Sequence, residues 1–304
     1  MKYVLITPAR NEQAFITMTL DSVCAQTLLP ERWVIVDDGS TDRTGEIADD
    51  YARRHSWIEV VHRPQHMERN FAGKVHAFNA GFERVQSLEF EVVGCLDSDL
   101  SFELDYLEFL MNKFSGDPQL GVAGTPFLEN GYDSAKDSFE GQNHVAGGCQ
   151  LFRRECFQEI GGYVPNRAGG IDWIAVTTAR MKGWKTRSFV EKRFQHYRPL
   201  GTAERNQLKA SFSYGEKDYY LGNSPVWQLF RVSYRMAKPP FIIEGLALLC
   251  GFCWAALRRT KRPVSQELMR FHRREQMKKL RTILRSLLTF KKVDNFRLAS
   301  GGDR

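Results

Sequence analysis

The chain alternates short runs of apolar, β-branched residues with longer segments in which apolar residues recur every three or four positions. The short runs predict buried strands, and the longer segments predict helices that pack one face on a sheet. The predicted strands are Tyr3–Thr7, Trp33–Asp37, Ile58–His62 and Val92–Asp97, and the predicted helices between them are Phe15–Cys24, Thr44–Arg53 and Ala72–Val85. This alternation indicates an α/β fold with a mixed, mostly parallel sheet and flanking helices.

The pattern changes twice further along the chain. Residues 144–197 mix glycine pairs with one more predicted helix, Ile171–Lys182, and one more strand, Lys185–Val190, and we expect them to continue the same domain. From Arg205 onward the chain becomes helical, is apolar at Phe241–Leu257 and is then basic. The sequence therefore predicts a domain at residues 1–204 and a helical, basic C-terminal extension at residues 205–304.

Composition and charge narrow the class of protein. Hydrophobic residues make up 42% of the chain and charged residues 26%, which are ordinary values for a globular protein and indicate neither disorder nor a multi-span membrane protein. The net charge of +7 comes from the tail, where the basic residues between Arg258 and Lys292 are opposed only by Glu267 and Glu275. The six cysteines show no disulfide or zinc spacing, and Cys250 and Cys253 are expected to be small buried hydrophobes.

Polar residues follow three of the predicted strands, at the edge where an open α/β sheet binds ligands. The three clusters are Thr7-Pro8-Ala9-Arg10-Asn11-Glu12, Asp37-Asp38-Gly39-Ser40-Thr41-Asp42 and Asp97-Ser98-Asp99. An Asp-x-Asp can hold a hard divalent cation against a diphosphate, although an isolated pair is more often a helix cap or a solvated turn. Here the carboxylates emerge from a continuous apolar run and need a partner, for which a cation is the simplest choice.

The second cluster suits a nucleotide base. A carboxylate of the Asp37-Asp38 pair can accept a hydrogen bond from the N–H of uracil or guanine, and the glycine that follows would let the backbone pass close to the base.

Four segments together resemble those of family 2 glycosyltransferases, which have the GT-A fold. They are the first two clusters above, the segment Gly73-Lys74-Val75-His76-Ala77-Phe78-Asn79-Ala80-Gly81, and Leu96-Asp97-Ser98-Asp99. Their order and spacing are those of that family, and the resemblance covers about residues 1–200. It implies a donor-binding half at residues 1–100 and an acceptor half at residues 101–204.

The resemblance implies a set of residues that bind the nucleotide-sugar donor. These are Pro8, Ala9, Arg10 and Glu12 around base and ribose, Asp38 on the base ring, Asp97 near the ribose with Ser98 beside it, and Lys74 on nucleotide or phosphate. Asp99 would bind Mn²⁺ or Mg²⁺, which bridges the donor diphosphate. For Lys74 the alternative is a solvated lysine on a helix surface.

The family's general base is an aspartate at the start of a helix on the acceptor side, usually within an acidic pair. The matching segment is Gly169-Gly170-Ile171-Asp172-Trp173, which keeps the second acidic position as Asp172 and has Ile171 at the first. Asp172 is therefore the predicted catalytic base, and the alternative is a simple helix cap. Trp173 is either a sugar-stacking platform or a core aromatic.

A polar segment after the last predicted strand contains two further candidates. Some GT-A enzymes complete the metal site with a histidine in this region, and the resemblance makes His196 the matching residue; a hydrogen-bonded structural histidine is the alternative. Arg198 would pair with the donor diphosphate as the site closes.

The predicted reaction is inverting transfer of a sugar from a nucleotide-diphosphate sugar, UDP-sugar being favoured and GDP-sugar possible, to a hydroxyl of a carbohydrate or lipid-linked acceptor. We expect a role in polysaccharide or glycolipid assembly and no nucleic-acid partner. A nucleotidyltransferase would want a glycine-rich phosphate loop after the first strand, which Thr7–Glu12 lacks. The other alternative is a catalytically silent carbohydrate-binding module with the same fold.

The predicted location is cytoplasmic, at the inner face of the cell membrane. The N-terminus reaches Arg10-Asn11-Glu12 before an apolar signal segment could be completed. The apolar segment Phe241–Leu257 is at the lower limit for a span and carries Glu244, so it is either a core helix or a peripheral or monotopic contact. The cations that follow it favour the contact with an anionic membrane surface.

Overall fold

The computed structural model describes residues 1–65, 71–137, 141–166, 169–198 and 207–288. The chain forms two compact units, an N-terminal unit of Met1–Arg167 and Ile171–Arg198 and a helical unit of Ala168–Gly170 and Pro199–Arg304. The predicted domain boundary at Glu204 lies outside the described residues.

The N-terminal unit contains the strands and most of the shorter helices. Its strands are β1 (Tyr3–Ala9), β2 (Arg32–Asp37), β3 (Ile58–His62), β4 (Val92–Leu96), β5 (Leu100–Phe102), β6 (Leu120–Gly124), β7 (Phe127–Glu129), β8 (Tyr132–Asp133), β9 (Cys149–Arg153), β10 (Lys185–Ser188) and β11 (Phe194–His196). Its helices are α1 (Ile16–Cys24), α2 (Thr44–Arg54), α3 (Phe71–Val85), α4 (Tyr106–Gly116), α5 (Ser134–Asp137), α6 (Arg154–Glu159) and α7 (Ile171–Met181).

Seven strands form the central sheet in the order β10-β6-β9-β4-β1-β2-β3. All pairings are parallel except those of β9, which runs antiparallel to both β4 and β6. Every residue of β4 is buried, and one apolar cluster covers each face of the sheet. Strands buried on both faces are typical of parallel sheets covered by helices, and the predicted α/β fold with a mostly parallel sheet is confirmed.

Two features of the sheet structure differ from the sequence prediction. The sequence did not indicate the antiparallel strand β9 or the small second sheet, in which the strands are ordered β5-β11-β7-β8. In addition, β4 ends at Leu96, so Asp97 is the first residue after the strand rather than its last. Both sheets contribute residues to the edge where β1, β2 and β4 end.

The helical unit contains α8 (Gln207–Tyr220), α9 (Pro225–Met236), α10 (Ile243–Leu257) and α11 (Gln266–Leu288). The expectation that Cys250 and Cys253 are buried was wrong, because both thiols are exposed on α10. Within the described ranges, no helix combines the length and apolar character needed to cross a bilayer.

Candidate active site

The three polar clusters meet at one edge because β1 lies between β2 and β4 and the three strands run parallel. The ends of the strands are joined through the backbone: the amide of Asp38 donates to the carbonyl of Ala9 over 2.8 Å. The predicted donor-site residues of the first two clusters are therefore neighbours in space.

The adjacent aspartates Asp37 and Asp38 have different partners. Asp37 accepts from the backbone amide of Ser40 over 3.0 Å and contacts Nδ1 of His62 at 3.1 Å, so it holds the turn that follows β2. Asp38 is buried, and its Oδ1 pairs with the guanidinium of Arg63. Asp38 thus presents a buried, charge-paired carboxylate at the sheet edge.

Gly39 is required by its conformation and by a close approach of the chain. Its φ is +71°, and a Cβ at this position would lie 2.7 Å from the carbonyl oxygen of Pro64 and from Cα of Gln65. Glycine is needed here because the segment after β3, which places Arg63 beside Asp38, passes close to the Gly39 backbone. The expectation that Gly39 makes room for a base is untested.

Glu12 and Arg198 form an ion pair between the end of β1 and the residues after β11. Their Oε2 and Nη2 atoms are 2.7 Å apart, and the Glu12 side chain is only 9% exposed. The backbone amide of Glu12 donates to Oγ1 of Thr44 over 2.7 Å, which ties it to the first turn of α2. The structure therefore brings these two predicted donor-site residues together.

Lys74 reaches from α3 to the cluster after β4. Its Nζ is 2.5 Å from Oδ1 of Asp97, and the side chain is 28% exposed. Burial alone would lower the pKa of the Lys74 ammonium, but the charges of the Asp97 and Asp172 carboxylates and the hydrogen bond to Asp97 outweigh it and raise the pKa. The alternative of a solvated surface lysine does not describe this side chain.

Asp172 lies in the first turn of α7, close to a glycine pair that also contacts the Asp97 backbone. A Cβ on Gly147 would lie 3.0 Å from both Cβ and Oδ2 of Asp172, so the approach is tight and favours glycine. The carbonyl of Gly148 accepts from the amide of Asp97 over 2.8 Å. The loop before β9 thus places the predicted base beside the predicted donor-binding aspartate.

Asp99 and His196 face each other at the junction of the two sheets. His196 Nε2 is 3.6 Å from Oδ2 of Asp99, and its Nδ1 is 3.0 Å from Oε2 of Glu129, with all three side chains largely buried. Burial and the charge of Asp97 raise the pKa of Asp99, although His196, Arg198 and Lys74 act in the opposite direction.

This arrangement fits a divalent cation by its donor chemistry. If Nδ1 of His196 donates to Glu129, Nε2 has a lone pair, and two electron-pair donors then face each other across 3.6 Å. A carboxylate oxygen and an imidazole nitrogen suit Mn²⁺, and a carboxylate that orients the distal ring nitrogen is common around protein metal sites. Among the described residues, no group of three acidic, histidine or cysteine side chains is arranged to hold a metal. Asp99 and His196 are therefore a two-residue candidate set.

The remaining predicted residues lie at the same edge but differ in exposure. Ala9 belongs to the apolar core, so only its backbone faces the edge, whereas Pro8 and Arg10 are half-buried. Ser98 and Trp173 are buried. Burial favours the core interpretation of Trp173 over a sugar-stacking role.

Sequence reasoning missed Arg63, Glu129 and the role of the Gly147-Gly148 pair. Arg63 directly follows a predicted strand next to the aspartate cluster, a position that signals a candidate partner. Glu129 ends a three-residue strand that has no periodicity of its own, so the sequence carried no signal for it.

The fold of the chain is shared with solved structures of glycosyltransferases. Solved structures of similar fold include the mannosyltransferase PcManGT from Pyrobaculum calidifontis in complex with GDP-Man and Mn²⁺, with a TM-score of 0.55 and 19% identity over 98% of this chain and 85% of that one. Another is residues 1–349 of Staphylococcus aureus TarS in complex with UDP-GlcNAc, with a TM-score of 0.55 and 17% identity over 98% of this chain and 90% of that one. The fold is that of GT-A glycosyltransferases.

The sequence comparison shows a family resemblance in the first part of the chain. Residues 4–138 match the model of glycosyl transferase family 2, so this segment is similar to that family. The chain is 31% identical over 133 residues to an uncharacterized glycosyltransferase, EpsJ, of Bacillus subtilis, and 32% identical over 121 residues to a poly-beta-1,6-N-acetyl-D-glucosamine synthase of Staphylococcus epidermidis. The alignments cover 42% and 40% of this chain but only 35% and 27% of the relatives, so the chain spans about a third or less of their length.

Proposed function

We propose that this chain transfers a sugar from a nucleotide-diphosphate sugar to an acceptor hydroxyl, with inversion at the anomeric carbon. The observation that carries the proposal is the convergence of Asp97, Lys74 and Asp172 at the edge of the sheet. A donor-binding carboxylate, a cation for phosphate and a candidate base for the acceptor are the groups that such a reaction needs.

In the proposed mechanism, Asp172 takes the proton of the acceptor hydroxyl while its oxygen attacks the anomeric carbon. The bond from that carbon to the diphosphate oxygen breaks, and the electron pair leaves with the nucleoside diphosphate. Lys74 and Arg198 offset the charge that grows on the diphosphate. Asp172 lies against Gly147, and the carbonyl of the next residue, Gly148, accepts from the amide of Asp97. The candidate base is therefore close to the candidate donor-binding aspartate, which supports in-line placement of donor and acceptor.

We also propose that Asp99 and His196 hold Mn²⁺ or Mg²⁺. When bound, the ion supplies charge that stabilises the leaving diphosphate. The Mn²⁺ complex of the similar mannosyltransferase supports a divalent cation. We expect EDTA to remove sugar transfer and Asp99→Ala to remove both transfer and Mn²⁺ binding in calorimetry, with an unchanged unfolding temperature in metal-free buffer. Full transfer in EDTA would contradict the proposal.

The proposed donor is a UDP-sugar, with a GDP-sugar as the second choice. The titles of the similar structures name UDP-GlcNAc and GDP-Man, and a relative's name contains N-acetyl-D-glucosamine, so UDP-GlcNAc is the first compound to test. We further propose a carbohydrate or lipid-linked acceptor in polysaccharide or glycolipid assembly, at the inner face of the cell membrane as a peripheral or monotopic protein.

The test starts with thermal protection of the full chain by a panel of nucleotide-sugars, because a ligand that binds only the folded state raises its stability. Release of nucleoside diphosphate is then measured with Asp172→Asn and with Asp105→Asn. Asp105 is an exposed aspartate at the start of α4, so it is the control for loss of a carboxylate near a helix N-terminus.

We expect Asp172→Asn to lower turnover by about 10²–10⁴-fold with donor binding intact, and Asp105→Asn to leave turnover unchanged. Equal turnover in both variants would refute the base assignment. Donor binding without any release or transfer would favour the silent binding module, and transfer of a nucleotidyl group would favour the nucleotidyltransferase.

A further inference from the structure

Helix α10 packs with its small residues inward. A Cβ on Gly251 would lie 1.9 Å from the carbonyl oxygen of Phe212, and one on Gly215 of α8 would lie 2.1 Å from the carbonyl oxygen of Leu248. The backbones of α8 and α10 are therefore in direct contact. In a helix of a water-soluble protein, the large apolar residues usually face the core. Along much of α10 the small residues face inward instead, as they do where helices pack closely in membranes.

The large apolar residues of α10 point outward. We call the following side chains the outer face of α10: Ile243, Leu246, Cys250, Cys253, Trp254 and Leu257, all of which are exposed. Their spacing of three and four places them along one side of the helix, opposite Gly245, Leu248, Gly251 and Ala255. Leu257 is 79% exposed and Ile243 53%, and the preceding Phe241 is 61% exposed. A continuous apolar stripe of this kind marks an interaction surface.

Cations adjoin the C-terminal end of the outer face. Arg258, Arg259 and Lys261 are exposed, and the guanidinium of Arg258 lies 4.3 Å from the centroid of the Trp254 ring. Trp beside Arg or Lys at the end of an apolar helix is typical of the zone between acyl chains and headgroups. This charge complements anionic lipid, and it argues against a second copy of the same face, which would bring like charges close to one another.

The length of α10 decides how it meets a bilayer. Its 15 residues extend about 22 Å at about 1.5 Å per residue, less than the roughly 30 Å of a hydrocarbon core. The opposite side of the helix is packed on α8, so only one side is available to lipid. These features favour a helix that lies in the interface over one that spans it.

We propose that the outer face of α10 is the membrane contact of this protein, seated in the interface of an anionic bilayer with Arg258, Arg259 and Lys261 on the headgroup phosphates. The inference rests on the proposed membrane location and names the surface that produces it.

The first experiment measures sedimentation of the full chain with vesicles of phosphatidylcholine alone and with vesicles that also contain phosphatidylglycerol, an anionic lipid. We expect binding to the anionic vesicles, about tenfold or more weakened by Leu246→Glu, and unchanged by Leu104→Glu. Leu104 is a matched control because it is an exposed leucine of the N-terminal unit. Arg258→Gln with Arg259→Gln should weaken binding by about fivefold per cation removed.

A second measurement reports on the outer face itself. Cys250 and Cys253 are exposed, Cys95, Cys149 and Cys156 are buried, and Cys24 is half-buried, so a Cys24→Ser chain can be labelled with an environment-sensitive dye on the outer face. We expect the emission to shift to the blue on addition of anionic vesicles. Vesicle binding with the dye still in water would overturn the proposal, as would equal binding by Leu246→Glu and the parent chain.

Two controls separate this inference from the proposed function. Nucleoside diphosphate binding by calorimetry, without vesicles, should be the same in Leu246→Glu and the parent chain, so a failure of donor binding would concern the catalytic proposal alone. Light scattering tests whether a second copy of the chain covers the outer face of α10. A dimer that Leu246→Glu converts to a monomer would assign this face to the second copy and overturn the membrane contact.

Discussion

Asp37 and Asp38 show how neighbouring identical residues take different roles at a strand end. Asp37 fixes the turn through Ser40 and His62, whereas Asp38 is buried beside Arg63. A carboxylate at this position can accept a hydrogen bond from the N–H of a base.

We therefore expect Asp38→Ala to weaken nucleoside diphosphate binding by about 1.5–3 kcal/mol, the usual range for a hydrogen bond to a charged group. Isothermal calorimetry with UDP and GDP measures this directly. Asp50→Ala, which removes an exposed carboxylate from α2, is the control and should bind as the parent chain does. Unchanged affinity in Asp38→Ala would place the base elsewhere.

Glu129 is expected to act on the cation through His196. Its Oε2 is 3.0 Å from Nδ1 of that imidazole, and loss of a carboxylate that orients a ligating histidine typically lowers metal affinity about 10–100-fold. Glu129→Gln should lower the Mn²⁺ affinity at least about tenfold. Electron paramagnetic resonance of free Mn²⁺ measures this affinity. Glu46→Gln, at an exposed glutamate that pairs with Arg43, serves as the control. Equal Mn²⁺ affinity in the two variants would show that Glu129 is merely structural.

At the scale of elements, His62 links three pieces of the N-terminal unit. It ends β3 and lies 3.1 Å from Asp37 after β2 and 3.1 Å from Asp49 on α2. Burial lowers the pKa of the imidazole, but the hydrogen bonds and charges of Asp37 and Asp49 outweigh it and raise the pKa above its usual value.

A raised pKa in the folded state means that His62 stabilises the protein most when it is protonated. This contribution is fully present below the unfolded pKa of about 6.5 and is lost as the pH rises through the folded pKa. Urea unfolding at a series of pH values should show this loss in the parent chain and not in His62→Gln, with His76→Gln on α3 as the control. The same pH dependence in His62→Gln would assign it to other groups.

At the scale of elements, the close crossing of α8 and α10 also depends on Gly215 and Gly251. Gly251→Ala places a methyl group where only 1.9 Å separates it from the Phe212 carbonyl oxygen, so the helices must move apart. We expect a loss of about 1–3 kcal/mol in unfolding free energy. Gly116→Ala, at a site with no atom within 4 Å of the new Cβ, should be neutral or stabilising. Equal unfolding free energies for the two variants would contradict the close crossing.

For the whole molecule, hydrophobic periodicity predicts the part of the fold built from long, regular elements. Strands β1 to β4 and helices α1 to α3 follow the predicted segments to within a few residues. Strand β9 is only five residues long and reverses direction, and periodicity carries no information on direction. The strands of the second sheet have two or three residues, too few for a repeating pattern.

The candidate site also has a part that the sequence predicted and a part that it did not. The motifs at the ends of β1, β2 and β4 predicted which side chains share an edge, because strand ends in a parallel sheet are fixed by topology. The partners Arg63 and Glu129 depend on loop paths and on the second sheet, which only the three-dimensional arrangement supplies. The prediction for Cys250 and Cys253 was wrong for a related reason. The sequence shows that α10 is apolar, but it does not show that the side with the glycines packs on α8 and leaves the cysteines exposed.

The pairing of β5 with β11 has a consequence for the order in which the protein acquires its properties during synthesis. Asp99 precedes β5 and His196 ends β11, so the two candidate cation ligands are made nearly a hundred residues apart, while β1 to β4 are complete by Leu96. A nascent chain translated as far as Gly141 contains both clusters that follow β1 and β2 but lacks His196, Arg198 and the candidate base. On the ribosome, the strand-end clusters after β1 and β2 therefore emerge well before the candidate base and His196, and the proposed site can be completed only after β11 has been made.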